Sequence, residues 1–283
     1  MEKGAQAIEL HLDQDFINTK NYWNEAIVKG VPIAAVHTPI IDGVDLPIEN
    51  RDNKMIIANT CDFANKIAIK QNHAVVVIIH INTDPHVMKK LGVYDEVIDL
   101  LQILLDVCPG LDFAIENVGP YAVDRPDRLE MRAIQYDSAV QLVKDINNPR
   151  VGTCLDTCHA LMTVRLMNNT ADFLAISKEQ SEDQLIRFGL KAYFQANKDV
   201  IKWMHLANCK LHGKDDDHGL PFTENDRNML QEIVRLYNKY LYDCPVTIEV
   251  KEDDYADAQN FLTTYKELQK IGATKQVYNI STK

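Results

Sequence analysis

The sequence predicts an α/β fold, a (β/α)8 TIM barrel spanning residues 1–283 as one domain. Three observations carry this. Short, nearly continuous apolar runs recur along the 283 residues, as expected of parallel strands covered on both faces. Helical apolar stripes separate them, and strand–helix alternation implies a parallel sheet. Barrels of this kind fill this length as a single unit, and no linker, repeat or low-complexity segment divides the chain.

In order, the strands are expected at residues 7–12, 33–38, 74–81, 112–118, 150–156, 201–207 and 246–250. One helical stripe comprises Ile57-Ala58, Phe63-Ala64 and Ile67-Ala68. A second holds Val97-Ile98, Leu101 and Leu104-Leu105, and a third Leu230, Ile233, Val234 and Tyr237. The longest insertion, residues 160–199, carries helical segments around 181–195 and reads as an extra helix or a wall over the site. Seven strands are one short of eight. Glu2-Lys3-Gly4 reads as a glycine-capped helix end feeding the first visible strand, so the barrel is expected to lack its first strand, placed before Met1.

Composition narrows the class. The chain is 46% hydrophobic and 25% charged, ordinary for a globular protein. It has neither a signal-peptide core nor an apolar run near the ~18 residues of a membrane span, so a cytoplasmic location without membrane contact is expected. The six cysteines follow no zinc-ribbon spacing and read as reduced, buried thiols. A formal net charge of −11 argues against broad phosphate neutralisation, though bound divalent ions can dominate the field inside a pocket.

The chemistry lies at the strand ends. His37 closes Ala34-Ala35-Val36, and His80 closes a run of five β-branched residues. Glu116 follows Phe113-Ala114-Ile115, Asp156 follows Thr153-Cys154-Leu155, His205 follows Lys202-Trp203-Met204, and Glu249 follows Val246-Thr247-Ile248. A charge at the end of a buried strand needs a partner, and a cation supplies one. In a parallel barrel these ends converge on the catalytic face. His159 stands three residues after Asp156, within one helical turn, and Asp216 and His218 form an Asp-x-His pair beyond His205. Five His, two Asp and two Glu are N/O ligands that suit Zn²⁺ first, then Mn²⁺ or Fe²⁺. Singly, each is more often a hydrogen-bonded core residue or a salt-bridge partner than a ligand; together they indicate a metal site. His11 ends a strand and could line the pocket, His73 and His86 read as surface residues, and His212 is a reserve ligand.

The order His37, His80, Glu116, Asp156-x-x-His159, His205, Asp216-x-His218, Glu249 resembles the endonuclease IV family (AP endonuclease family 2), within the xylose-isomerase-like superfamily. Cys154–Ala160 (CLDTCHA), Ile115-Glu116-Asn117 and His205-Leu206 carry the likeness. The resemblance implies up to three Zn²⁺ ions. His37, His80 and Glu116 would hold the first; Glu116 as a bridge, Asp156, His205 and Glu249 the second; His159, Asp216 and His218 the third. It also implies hydrolysis of the phosphodiester at abasic sites in DNA, with one metal acidifying the attacking water and others neutralising phosphoryl oxygens. Three Zn²⁺ would add six positive charges against four ligand carboxylates and leave the pocket locally positive.

A second reading is a sugar or sugar-phosphate isomerase or epimerase with one divalent ion. There Glu116 and Glu249 would exchange protons with adjacent carbons, while His37 and His80 bind a small sugar substrate. Ala7-Ile8-Glu9-Leu10 looks like that branch, and the acidic run Asp215–Asp217 and net charge favour it. Phe16, Trp23 or Trp203 could face a sugar ring. A third reading is a degenerate barrel that binds metal or sugar without turnover. Ligand count favours the hydrolase, since a one-metal isomerase leaves the third set idle.

Overall fold

A computed structural model describes residues 7–13, 17, 32–39, 46–48, 51–120, 132–166, 182–210, 218–254, 256–273 and 279–282. The expectations for Phe16, Trp23, His212, Asp215, Asp216 and Asp217, and for the middle of the 160–199 insertion, lie outside them.

The strands are β1 (Ala7–His11), β2 (Ile33–His37), β3 (Val75–His80), β4 (Leu111–Glu116), β5 (Val151–Asp156), β6 (Ile201–Leu206), β7 (Val246–Ile248) and β8 (Asn279–Thr282). Each pairs in parallel with the next, and β8 pairs with β1, closing the barrel. The seven expected strands are β1 to β7. The expectation of a missing first strand is corrected: the eighth place lies between β7 and β1 and is filled by Asn279–Thr282. That segment has one large apolar residue, Ile280, and so gives no apolar run to read.

The helices are α1 (Arg51–Gln71), α2 (Pro85–Leu91), α3 (Tyr94–Val107), α4 (Ser138–Ile146), α5 (Thr157–Leu166), α6 (Glu182–Asn197), α7 (Arg227–Tyr240) and α8 (Gln259–Lys270). Their starts and stops follow local chemistry. Asp84 accepts from the His86 amide ahead of Pro85 at the start of α2, and Gly92 ends it at φ 73°, the left-handed conformation that glycine adopts without Cβ strain. A Thr223–Asp226 capping box leads into α7. Ile57, Phe63, Ala64 and Ile67 of α1, Val97, Leu101, Leu104 and Leu105 of α3, and Leu230, Ile233 and Tyr237 of α7 are buried, as their stripes require.

A large core runs between sheet and helices, and a small separate cluster fills the barrel itself. That cluster comprises Ala35, Ile78, Ala114, Cys154 and Trp203, one from each of β2 to β6. Each stands two residues before His37, His80, Glu116, Asp156 and His205 respectively. Because side chains alternate along a strand, the residues above this floor must also face inward. Small Ala35, Ala114 and Cys154 leave room for the Trp203 indole, so Trp203 is a buried floor residue and does not line the mouth. Gly152, next down on β5, meets the wall closely: a Cβ there would lie 2.4 Å from the Val200 carbonyl oxygen.

Candidate metal centre

The pairing register lines up the chemistry. His11 lies beside His37, His80 beside Glu116, and Asp156 beside His205. Glu249 follows β7, its amide donating to the Leu206 carbonyl at 3.2 Å. His37, His80, Glu116, Asp156, His159 and His205 are all buried, the His11 side chain is 7% exposed, and the Glu249 side chain retains 16% exposure at the mouth.

Glu116 is the hub. Its Oε2 lies 3.0 Å from His37 Nε2 and 3.6 Å from His80 Nε2. Its Oε1 lies 3.2 Å from His205 Nδ1 and 3.4 Å from His159 Nδ1. His205 Nδ1 also faces Glu249 Oε2 at 2.8 Å and Asp156 Oδ2 at 3.8 Å. Among the described residues three groups of donor atoms result, each mutually within 4.8 Å: His37, His80 and Glu116; Glu116, Asp156, His205 and Glu249; and Glu116, Cys154 and His205, the last sharing two members with the second.

Local structure aims these atoms. His37 Nδ1 faces the Thr38 carbonyl at 2.7 Å, which fixes the ring so that Nε2 points at Glu116. Asp156 caps α5: its Oδ1 accepts from the His159 amide at 2.6 Å, the bond an N-cap carboxylate makes. Asn117 braces β4 to β5 through its side-chain oxygen on the Asp156 amide at 2.8 Å and its side-chain nitrogen on the Asp156 carbonyl at 3.1 Å. Its own carbonyl accepts from His159 Nδ1 at 2.7 Å, turning His159 Nε2 toward His218 Nε2, 3.0 Å away. His159 and His218, two of the three residues expected in the third set, thus lie side by side; the other, Asp216, lies outside the described residues.

His11, expected only to line the pocket, stacks on His37 with ring centroids 4.6 Å apart. Its Nε2 lies 3.1 Å from Glu249 Oε1 and 3.0 Å from Glu9 Oε1. In the sequence Glu9 stands out only as part of Ala7-Ile8-Glu9-Leu10, the segment similar to the isomerase and epimerase branch, and not as a site residue. It is fully buried. His73 and His86 are exposed, as expected, and all six cysteines are free and buried.

Burial alone would neutralise these carboxylates. Against it, the fields of His205 and His80 and hydrogen bonds from His205 and His37 hold Glu116 well below the usual range. Burial likewise opposes Glu249, but His205 and His11 keep it low. Asp156 goes the other way: burial, then the charges of Glu116 and Glu249, push it well above the usual range. His205 rises despite burial because Cys154, Glu249, Glu9 and Glu116 surround it. Burial and then neighbouring His218 depress His159 to about 3, leaving it neutral and able to donate a lone pair.

The donor set fits metal ions. Buried Asp156 Oδ2 has no hydrogen-bond partner among the described residues, an arrangement that costs free energy unless a cation compensates it. Two imidazole Nε2 atoms at 3.0 Å match the roughly 3.3 Å edge of a tetrahedron with ~2.0–2.1 Å zinc–nitrogen bonds.

The sequence profile of the xylose isomerase-like TIM barrel matches residues 2–266. The chain belongs to this family. No curated protein matches it by sequence. Among solved structures, endonuclease IV from Thermus thermophilus superposes with a TM-score of 0.55 at 17% identity, covering 95% of this chain and 91% of the other. The TTHB071 protein from the same organism, soaked with ZnCl2, gives 0.52 at 13% identity over 93% and 88%. AP endonuclease, family 2 from Brucella melitensis gives 0.50 at 13% identity over 96% and 89%. At these identities the similarity establishes the shared barrel. As a member of the xylose isomerase-like family the chain has relatives that are enzymes, and the strand-end cluster occupies the face where barrel enzymes work.

Proposed function

We propose that this protein is a zinc-dependent phosphodiester hydrolase of the endonuclease IV type, acting at abasic sites in DNA. The observation that carries the reading is the split geometry of Glu116, one oxygen toward His37 and His80 and the other toward His205. A carboxylate serving one ion has no need of two opposed donor groups; a bridging one does. The His159–His218 pair adds a third set.

His37, His80 and Glu116 would hold one ion, Glu116, Asp156, His205 and Glu249 a second, and His159 and His218, with Asp216, a third. When bound, the metals supply Lewis acidity toward the phosphodiester and lower the pKa of water. Glu249 is the carboxylate with access to the mouth. Its Oε1, beside His11, takes the proton of the attacking water as the water oxygen bonds to phosphorus; the phosphorus–oxygen bond to the leaving group breaks, and that oxygen takes up a proton from solvent to depart as the alcohol. Buried His37 and His80 form the opposite wall, where the ion that they and Glu116 would hold could offset the charge of the phosphate. The floor of Trp203, Ile78 and Ala114 excludes bulk water and strengthens these interactions.

The test is cleavage of a duplex carrying one abasic-site analogue by zinc-loaded protein. Cleavage at the lesion that chelation abolishes supports the proposal, and its absence in a protein with full zinc content overturns it. The net charge of −11 favours the second reading, a one-ion sugar or sugar-phosphate isomerase or epimerase; a single zinc equivalent with aldose–ketose interconversion would establish it.

A further inference from the structure

Glu9 belongs to none of the groups of donor atoms around Glu116, yet polar side chains enclose it on every side. Its Oε2 accepts from Thr247 Oγ1 at 2.6 Å, Trp203 Nε1 at 2.9 Å and His205 Nε2 at 3.1 Å. Its Oε1 lies 3.0 Å from His11 Nε2. Groups from β1, β6 and β7 therefore converge on one fully buried side chain. Trp203 Nε1 also reaches Thr247 Oγ1 at 2.9 Å, so the locks on Glu9 are themselves tied together.

The consequence falls on two residues of the second group. An imidazole has two nitrogens, and the one not bound to metal commonly donates to a carboxylate that fixes ring orientation and basicity. With Nε2 held by Glu9, His205 must present Nδ1 to Glu116, Asp156 and Glu249, as observed. His11 Nε2 lies between the other oxygen of Glu9 and Glu249 Oε1, at 3.0 and 3.1 Å, and leaves Glu249 Oε2 for His205 Nδ1. A buried carboxylate kept only for packing would be replaced without loss by an apolar residue of similar size. The pattern of contacts fits alignment of the two ligands.

We propose that Glu9 is a positioning residue for the second metal group: it holds His205 directly and Glu249 through His11, so that β1 shapes metal binding while contributing no ligand. This rests on the reading that Glu116, Asp156, His205 and Glu249 hold an ion.

The experiment is zinc titration of the full chain against a chromophoric chelator, for wild type and Glu9→Gln, with circular dichroism to verify folding. Nitrogen-15 spectra of the imidazoles in the zinc-loaded proteins accompany it. The expected result is a loss of about 10–100-fold in affinity for one equivalent, the remaining equivalents unchanged, and displaced His205 nitrogen signals. A folded Glu9→Gln protein with wild-type affinities and unmoved signals overturns the proposal, even if its melting temperature falls, because packing alone would do that. Should Glu9→Gln not fold, Thr247→Val removes the shortest bond to Glu9 at nearly constant volume. That variant is expected to weaken the same equivalent by about 3–10-fold, the usual worth of one hydrogen bond, and unchanged affinity overturns the proposal. A wild-type protein that binds no zinc at this group overturns the metal reading itself and this inference with it, and is seen before any variant is compared.

Discussion

Replacing Glu116 by Gln should cost two metal ions, whereas replacing any unshared ligand should cost one. Gln keeps the shape of the hub and removes its charge. A carboxylate oxygen and a unit positive charge about 3 Å apart attract by ~5 kcal/mol at an effective dielectric of about 20. Desolvation offsets more than half of such an interaction, leaving roughly 2–3 kcal/mol for each group, or on the order of 30–150-fold in each dissociation constant. At zinc concentrations that just saturate wild type, Glu116→Gln is expected to retain the third-set ion alone. His37→Ala, which alters only the first group, should keep two. Zinc content after gel filtration, measured by elemental analysis beside circular dichroism to verify folding, reads the difference. Equal zinc content in the two variants would refute the bridging role of Glu116.

Three further outcomes follow from the geometry and electrostatics, and a fourth from packing. His159→Ala should release one zinc and lower abasic-site cleavage by about 100-fold or more with the other ions in place; full cleavage removes any role for the third set. Because folded His159 titrates at about 3 and an unfolded histidine near 6.5, the unfolded state binds the extra proton between those values, so apoprotein stability falls as pH drops from about 6.5. Urea unfolding should show His159→Gln losing about 2 kcal/mol less than wild type between pH 7 and 5, at about 1.4 kcal/mol per pH unit below 6.5; parallel losses would contradict this. His205 and Asp156 are shifted upward, so both hold protons more tightly in the metal-free protein than in the unfolded chain. Zinc must displace those protons, its affinity should rise with pH, and calorimetry in two buffers of different ionisation enthalpy should detect proton release; identical heats would argue that the ligands are already deprotonated. Finally, Gly152→Ala would push a Cβ against the Val200 carbonyl and should destabilise by about 1–3 kcal/mol, seen as a lower melting temperature.

Much of the site was readable because a parallel barrel places function where strands end. His37, His80, Glu116 and Asp156 each finish a strand, and a titratable residue after an apolar run marks that position without any structure. The helical stripes were readable for the same reason of periodicity. The eighth strand was not: Asn279-Ile280-Ser281-Thr282 is strand by its pairing with β7 and β1, a tertiary effect that overrides weak local preference. The role of Glu9 was equally hidden, because its partners His205, Trp203 and Thr247 lie some two hundred residues away along the chain. Trp203 as a sugar-facing aromatic rests on its residue type alone, and such residues are more often core. Strand alternation puts both Trp203 and His205 inward but at different depths, so Trp203 becomes floor and His205 faces the metal groups.

The most direct measurement is anomalous scattering at the zinc absorption edge from a crystal of the zinc-loaded protein. Three peaks are expected, two of them flanking Glu116 on opposite sides and the third between His159 and His218. A single peak among Glu116, Asp156, His205 and Glu249 would contradict the bridged centre, and with it the hydrolase that depends on it.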